Sequence, residues 1–158
     1  MKLQSYLLLL AAGLSIGGCS LDVPNPNSPS ENQVLSTRDG IFALAIGVQQ
    51  NYAGSALETA ILASGMSSRE VVANSTFLNL IELEQGGNSL PPGNGNVGAM
   101  WSRHYRVIDM ADQLIANAPN VDMTAGTRSG ILAMAYLFKA MALGNLAQAF
   151  EQMPLDVQ

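Results

Sequence analysis

Cysteine occurs once in this sequence, at Cys19, and histidine once, at His104. A lone cysteine excludes an intramolecular disulfide framework. A lone histidine with no second histidine or cysteine nearby leaves no metal constellation. Basic residues are scarce too: seven Lys and Arg face twelve Asp and Glu, for a formal net charge of −5. Nucleic-acid binding needs clustered Lys and Arg to neutralise phosphates, so that class of partner is excluded. No segment alternates apolar and polar residues as a half-buried strand does, which points to an all-α chain. A G-x-S-x-G nucleophile elbow is also missing. Glu82 and Glu84, two positions apart, would point away from each other on a helix and so make a poor glycosidase pair. Nothing in the residues supports catalysis, and no cofactor is expected.

Apolar residues are plentiful: they make up 48% of the chain, against 12% charged. So apolar a chain must bury much of its surface against something, as one layer of a solenoid does or as a piece of a larger protein does.

Part of that excess sits at the N-terminus, which has the three parts of a secretory signal. Met1-Lys2 is a short positive start, Leu3 to Ile16 is mostly apolar, and Gly17-Gly18 are small residues directly before Cys19. The apolar stretch is shorter than the roughly 20 residues that a membrane-spanning helix needs. Ile16-Gly17-Gly18-Cys19 resembles the bacterial lipobox, with Ile where the pattern more often has Leu. The resemblance implies cleavage before Cys19 and a thioether-linked diacylglyceryl group on its thiol. One acyl chain anchors only marginally, at about 0.8 kcal/mol per buried methylene, whereas two or three hold a protein on a membrane. An ordinary secretory peptide with an incidental cysteine is the alternative. Ser20, rather than Asp, follows the cysteine, which by the rule of such lipoproteins implies release toward the outer membrane. Whether the chain then faces the periplasm or the cell surface stays open. Loss of residues 1–18 removes Lys2 and no acid, leaving six basic against twelve acidic residues, a net charge of −6.

Residues 19–36 hold three prolines and little periodicity, and they read as an extended tether, about 3.1 Å per residue where it is polyproline-like. Helical order is expected over residues 37–158, as one domain. Ser36-Thr37 is a capping signal, and Ile41, Phe42, Leu44, Ala45, Val48 and Tyr52 follow helical spacing. Gly54-Ser55 is expected to break that helix before a second one through Leu57, Ile61, Leu62 and Met66. Residues 67–76 are ambiguous, and Phe77 to Leu83 reads as a short helix or a strand, with helix preferred. Residues 85–98 read as a Gly/Asn/Pro loop. Met100, Trp101, Tyr105, Ile108, Ala111, Leu114 and Ile115 form an amphipathic helix ended by Ala118-Pro119-Asn120. Thr124 is expected to cap a last helix to about Gln152. Its apolar run, Ile131 to Phe150, suggests a central buried helix; Lys139, Asn145 and Gln148 within it argue against a membrane span.

Gly93-Asn94-Gly95-Asn96-Val97-Gly98 matches G-x-G-x-x-G in letter, but Ser89-Leu90-Pro91-Pro92 precedes it where a dinucleotide fold needs a buried strand. It reads as a loop, whose Asn94 and Asn96 are candidates for ligand contact. Trp101 is a candidate for stacking on a sugar, although its helical spacing from Tyr105 and Ile108 suits a core position. His104 is expected on the surface or at a cap. Arg103, Arg106, Asp109 and Asp112 read as a solvated, ion-paired face.

Four stretches in order resemble the N-terminal part of the SusD/RagB family of outer-membrane nutrient-binding lipoproteins. They are Cys19-Ser20-Leu21-Asp22 running into Val23-Pro24-Asn25-Pro26-Asn27; Ser36 to Gly40 leading to Ile46-Gly47-Val48; Trp101, Tyr105 and Ile108; and Leu132 to Tyr136 followed by Phe150 to Leu155. Ala133 stands where the family commonly has arginine, and the separation of Tyr136 from Pro154 is longer than its usual pattern. Family members are much longer, so the chain is expected to be the N-terminal portion of such a protein. The resemblance implies a tetratricopeptide-like helical scaffold and a SusC-like TonB-dependent transporter as partner. It also implies a glycan or peptide ligand, caught and passed on without chemistry. The alternative is a helical-repeat envelope lipoprotein that scaffolds other proteins without a small ligand.

Overall fold

A computed structural model describes residues 30–155. The signal segment, Cys19 and most of the expected tether lie outside the described residues. Among the described residues there are helices and no strand, so the fold is all-α. The tether expected through residue 36 is already helical in its last part, because α1 spans Glu31–Leu35. Val34 and Leu35 are half-buried there. Gly40, at the start of the next helix, permits the approach, since a Cβ at that position would run into the Val34 carbonyl.

α2 spans Arg38–Asn51, and the Thr37 hydroxyl accepts from the Gly40 N–H at 3.2 Å as its N-cap. The expected break at Gly54-Ser55 does not occur. Tyr52–Ala56 is a π-helical turn, in which the Leu57 N–H reaches back to the Tyr52 carbonyl. The rod then continues as α3, Leu57–Ser67. A glycine weakens a helix but does not end one when packing supports it; here the wide turn keeps Tyr52 and Ala56 both buried. α4 spans Leu78–Gln85 and stops at Gly86, whose φ of 61° and ψ of −165° suit glycine alone.

The loop expected over 85–98 is shorter in fact. After a 3₁₀ turn at Gly87–Ser89, α5 runs over Gly95–Asn117, starting inside the Gly/Asn segment. The reason is local: the Asn94 side chain accepts from the Asn96 and Val97 N–H groups, satisfying two of the donors that a helix start leaves open. Ala118–Asn120 closes the helix as a 3₁₀ turn. α6 spans Ala125–Ala149, with Thr124 as its cap, accepting from the Thr127 N–H at 3.2 Å.

α5 and α6 form an antiparallel hairpin. Their register is fixed by Asp112 against Lys139, His104 against Asn145, and Trp101 against Phe150. α2 lies against both, antiparallel to α5, with Tyr52 packed edge-on to Phe138 at 5.3 Å. The shared core is Ile41, Ala45 and Val48 from α2, Val107, Ile108, Ala111 and Leu114 from α5, and Ile131, Ala135, Ala142 and Leu146 from α6. Each large aliphatic among them contributes about 1.5–3 kcal/mol by burial.

The central helix is therefore α5, not α6. Tyr136 and Leu137 of α6 are both 56% exposed, and Met141 is exposed too. Much of the apolar character of α6 resides in alanine: Ala133, Ala140, Ala147 and Ala149 all face solvent. Alanine raises hydropathy and helix propensity while offering little area to bury. By length and composition α6 is apolar enough to cross a membrane, a test that core helices of soluble proteins also pass.

Candidate functional site

A concavity opens where α3, α4, the start of α5 and the end of α6 converge. It holds about 510 Å³, within the 300–1,000 Å³ typical of small-molecule pockets. Leu57 and Ile61 of α3, Leu83 of α4, Leu90, Met100 of α5 and Phe150 supply apolar walls, and among the described residues no charged side chain lines it. Its polar groups are Ser64, Ser67, Asn96, Asn145 and Gln148.

Asn145 connects this cleft to the interior. Its Nδ2 donates to the Tyr52 hydroxyl at 3.2 Å and lies 3.2 Å from His104 Nε2. His104 Nδ1 is in turn 2.7 Å from the Met100 carbonyl. One assignment satisfies every atom: His104 is neutral, donates from Nδ1 to Met100, and accepts at Nε2 from Asn145. Burial is the larger influence on His104 and pushes its pKa below 6.5, with the Met100 hydrogen bond opposing. The expectation of a surface or capping histidine is overturned, since His104 is completely buried. It occupies the core-facing stripe of α5, one turn after Met100 and one before Ile108.

Of the residues singled out from sequence, Asn94 is buried and committed. Besides capping α5, its Nδ2 donates to the Asn79 carbonyl and to Glu82 Oε2, both at 2.9 Å. Asn96 lines the cleft while its Nδ2 holds the Asn79 carbonyl at 3.1 Å. Trp101 is half-buried between Tyr105 and Phe150, at centroid distances of 4.8 and 5.0 Å. It stands behind the Phe150 wall and does not line the cleft. Asn94 and Asn96 are thus brought together at the α5 start, Trp101 is set apart from them, and Cys19 lies outside the described residues.

Glu82 and Glu84 do diverge, Glu84 accepting from the Ala73 N–H at 2.9 Å. Two of the four charges, Arg103 and Asp112, pair across helices rather than along one solvated face, while Asp109 accepts from Gln113 on its own helix at 3.2 Å. Arg103 reaches Glu58 at 3.6 Å and the Ser55 carbonyl at 3.3 Å. Lys139 meets Asp112 at 2.7 Å with both side chains largely shielded. Among the described residues no three His, Cys, Asp or Glu gather as a metal site would require.

Sequence reading missed Asn145, which it used only as a polar residue arguing against a membrane span. The available signal was its place on the core-facing stripe of α6, one position before the buried Leu146. Comparison with protein-family models, with curated proteins and with solved structures gave no match in any of the three, so the function must be argued from the chain's own residues.

Proposed function

We propose that this chain is a lipid-anchored outer-membrane protein that binds a nutrient, glycan or peptide, and passes it to a SusC-like TonB-dependent transporter. The observation that carries the reading is the order of the four SusD-like stretches behind Ile16-Gly17-Gly18-Cys19. An uncharged cleft of small-molecule size, and an antiparallel helix pair packed on a third helix as in tetratricopeptide-like layers, support it. Cys19 carries the lipid, and anchoring confines the protein near its transporter, raising the effective concentration of one for the other. Capture and hand-off need no bond-making step in the protein.

Growth of expressing cells with a clickable palmitate analogue tests the anchor. The wild-type chain takes up label and sediments with outer membranes, and Cys19→Ser does neither. Label or sedimentation that survives the substitution overturns the lipoprotein assignment. Co-isolation of a TonB-dependent transporter with the chain tests the partner.

The second reading, an envelope scaffold without a small ligand, is favoured by the exposed apolar side chains Ile61, Val72, Phe77, Leu78, Tyr136 and Leu137. Capture of envelope proteins that is lost on replacing Phe77 and Leu78 by serine, with no small-molecule binding, would select it.

A further inference from the structure

The cleft beside α3 carries information about ligand class. Among the described residues it has no charged side chain, so a formally charged group would enter without a counter-charge. Among the described residues it has one aromatic wall, Phe150, and so no pair of rings to clamp a sugar. Its floor is aliphatic, from Leu57, Ile61, Leu83, Leu90 and Met100.

Against this apolar lining, Asn145 is held by two interior hydrogen bonds, where Asn96 is held by one, to the Asn79 carbonyl. Asn145 Nδ2 has two hydrogens, and the Tyr52 hydroxyl and His104 Nε2 take both. The amide therefore cannot turn without breaking two interior bonds. Its Oδ1 accepts no hydrogen bond from the described residues and is what Asn145 has left to offer the cleft. His104, clamped by the Met100 carbonyl at 2.7 Å, holds the relay in place from beneath. A network of two buried residues, Tyr52 and His104, that orients a half-buried amide at the cleft is a costly arrangement for a surface with nothing to bind. Gln148, one turn on from Asn145 along α6, and Ser67 add exposed groups that can donate to a carbonyl.

We propose that this cleft is a binding site for an uncharged peptide segment, with an apolar side chain seated against Leu57, Ile61, Leu83 and Leu90 and a backbone N–H donated to Asn145 Oδ1. A peptide alternates the apolar side chain, N–H and carbonyl that these walls, Asn145, and Gln148 with Ser67 respectively receive. The proposal rests on the nutrient-capture reading for the source of the ligand and chooses peptide over glycan. Asn145 acts as a contact residue, and His104 and Tyr52 as positioning residues behind it.

The test uses the full chain in nanodiscs of neutral phosphatidylcholine and isothermal titration with acetyl-leucyl-leucine amide. The same peptide N-methylated at each leucine in turn and a linear α-glucan oligosaccharide are the comparison probes. The peptide is expected to bind, and N-methylation at one leucine to weaken it about tenfold, as loss of one hydrogen bond to a fixed acceptor does. Ser64→Phe fills the cleft from an exposed position whose hydroxyl bonds only within its own helix, and it is expected to abolish binding. Circular dichroism reports whether that variant folds, and the N-methyl arm on the wild-type chain decides the matter if it does not. Peptide binding indifferent to N-methylation and to Ser64→Phe overturns the site. Oligosaccharide binding without peptide binding overturns the ligand class and leaves nutrient capture standing. Binding of neither probe overturns the site, while transporter co-isolation and uptake judge nutrient capture separately.

Discussion

Mild acid should weaken this fold through one side chain. His104 is buried and neutral, its pKa pushed below the 6.5 of a free imidazole by burial. As pH falls, the unfolded chain takes up the proton first, so the unfolded state binds more protons and stability declines. The contribution is complete above pH 6.5 and is lost as pH falls through the folded-state pKa, where the loss levels off. If His104 stays neutral in the fold, the loss approaches about 1.4 kcal/mol at pH 5.5. This window is clean because the chain has no other histidine, and carboxylates titrate mainly below about pH 5. Urea unfolding followed by circular dichroism, at half-unit steps from pH 7.5 to 5, gives the slope. His104→Gln keeps an amide donor and acceptor in the network and removes the titration, so its profile should be flat over the same range. Parallel profiles for the two proteins would refute the assignment of a buried neutral imidazole.

The cleft network and the special backbone positions make further predictions. Asn145→Ala leaves the Tyr52 hydroxyl and His104 Nε2 without their donor, and at about 1–3 kcal/mol per unsatisfied buried group the midpoint of urea unfolding should drop clearly; an unchanged midpoint would mean that water replaces the amide. Asn94→Ala removes the α5 cap and the tie to Asn79 and Glu82, costing about 1–2 kcal/mol, with faster amide exchange at Asn96 and Val97. Gly86→Ala places a Cβ on a backbone at φ 61°, ψ −165°, costing about 1–3 kcal/mol in the same assay. Gly40→Ala collides with the Val34 carbonyl, so α1 should exchange its amides freely while the α5–α6 hairpin keeps its protection.

Most of the helices were legible because their caps and periodicities agree. Thr37 and Thr124 cap where the Ser/Thr signals placed them, and Ile41, Ala45, Val48 and Tyr52 form the stripe that spacing indicated. The errors cluster where local propensity and tertiary context conflict. Gly54-Ser55 reads as a breaker, yet the burial of Tyr52 and Ala56, which flank it in sequence, holds it in a π turn. Gly93 to Gly98 reads as loop by composition, yet Asn94 turns it into a helix start through bonds that include residues of α4. Neither outcome follows from the segment alone, because in each case the deciding partner is distant in sequence.

The site was less legible than the fold, for a related reason. Asn94, Asn96 and Trp101 drew notice as residue types with binding chemistry, but chemistry acts only where a group is unspent. Asn94 has spent its amide on a cap and on α4, and Trp101 packs against Tyr105 and Phe150 and stands outside the cleft. Asn145 looked unremarkable in an apolar helix, and its significance comes from where that helix places it. At a core-facing position an asparagine must be satisfied, and here two acceptors on α5 and the π turn meet one nitrogen. That leaves one oxygen over at the cleft. Position on the buried stripe, read together with the lone histidine on the facing helix, is thus the better guide to this site than residue type in an exposed loop.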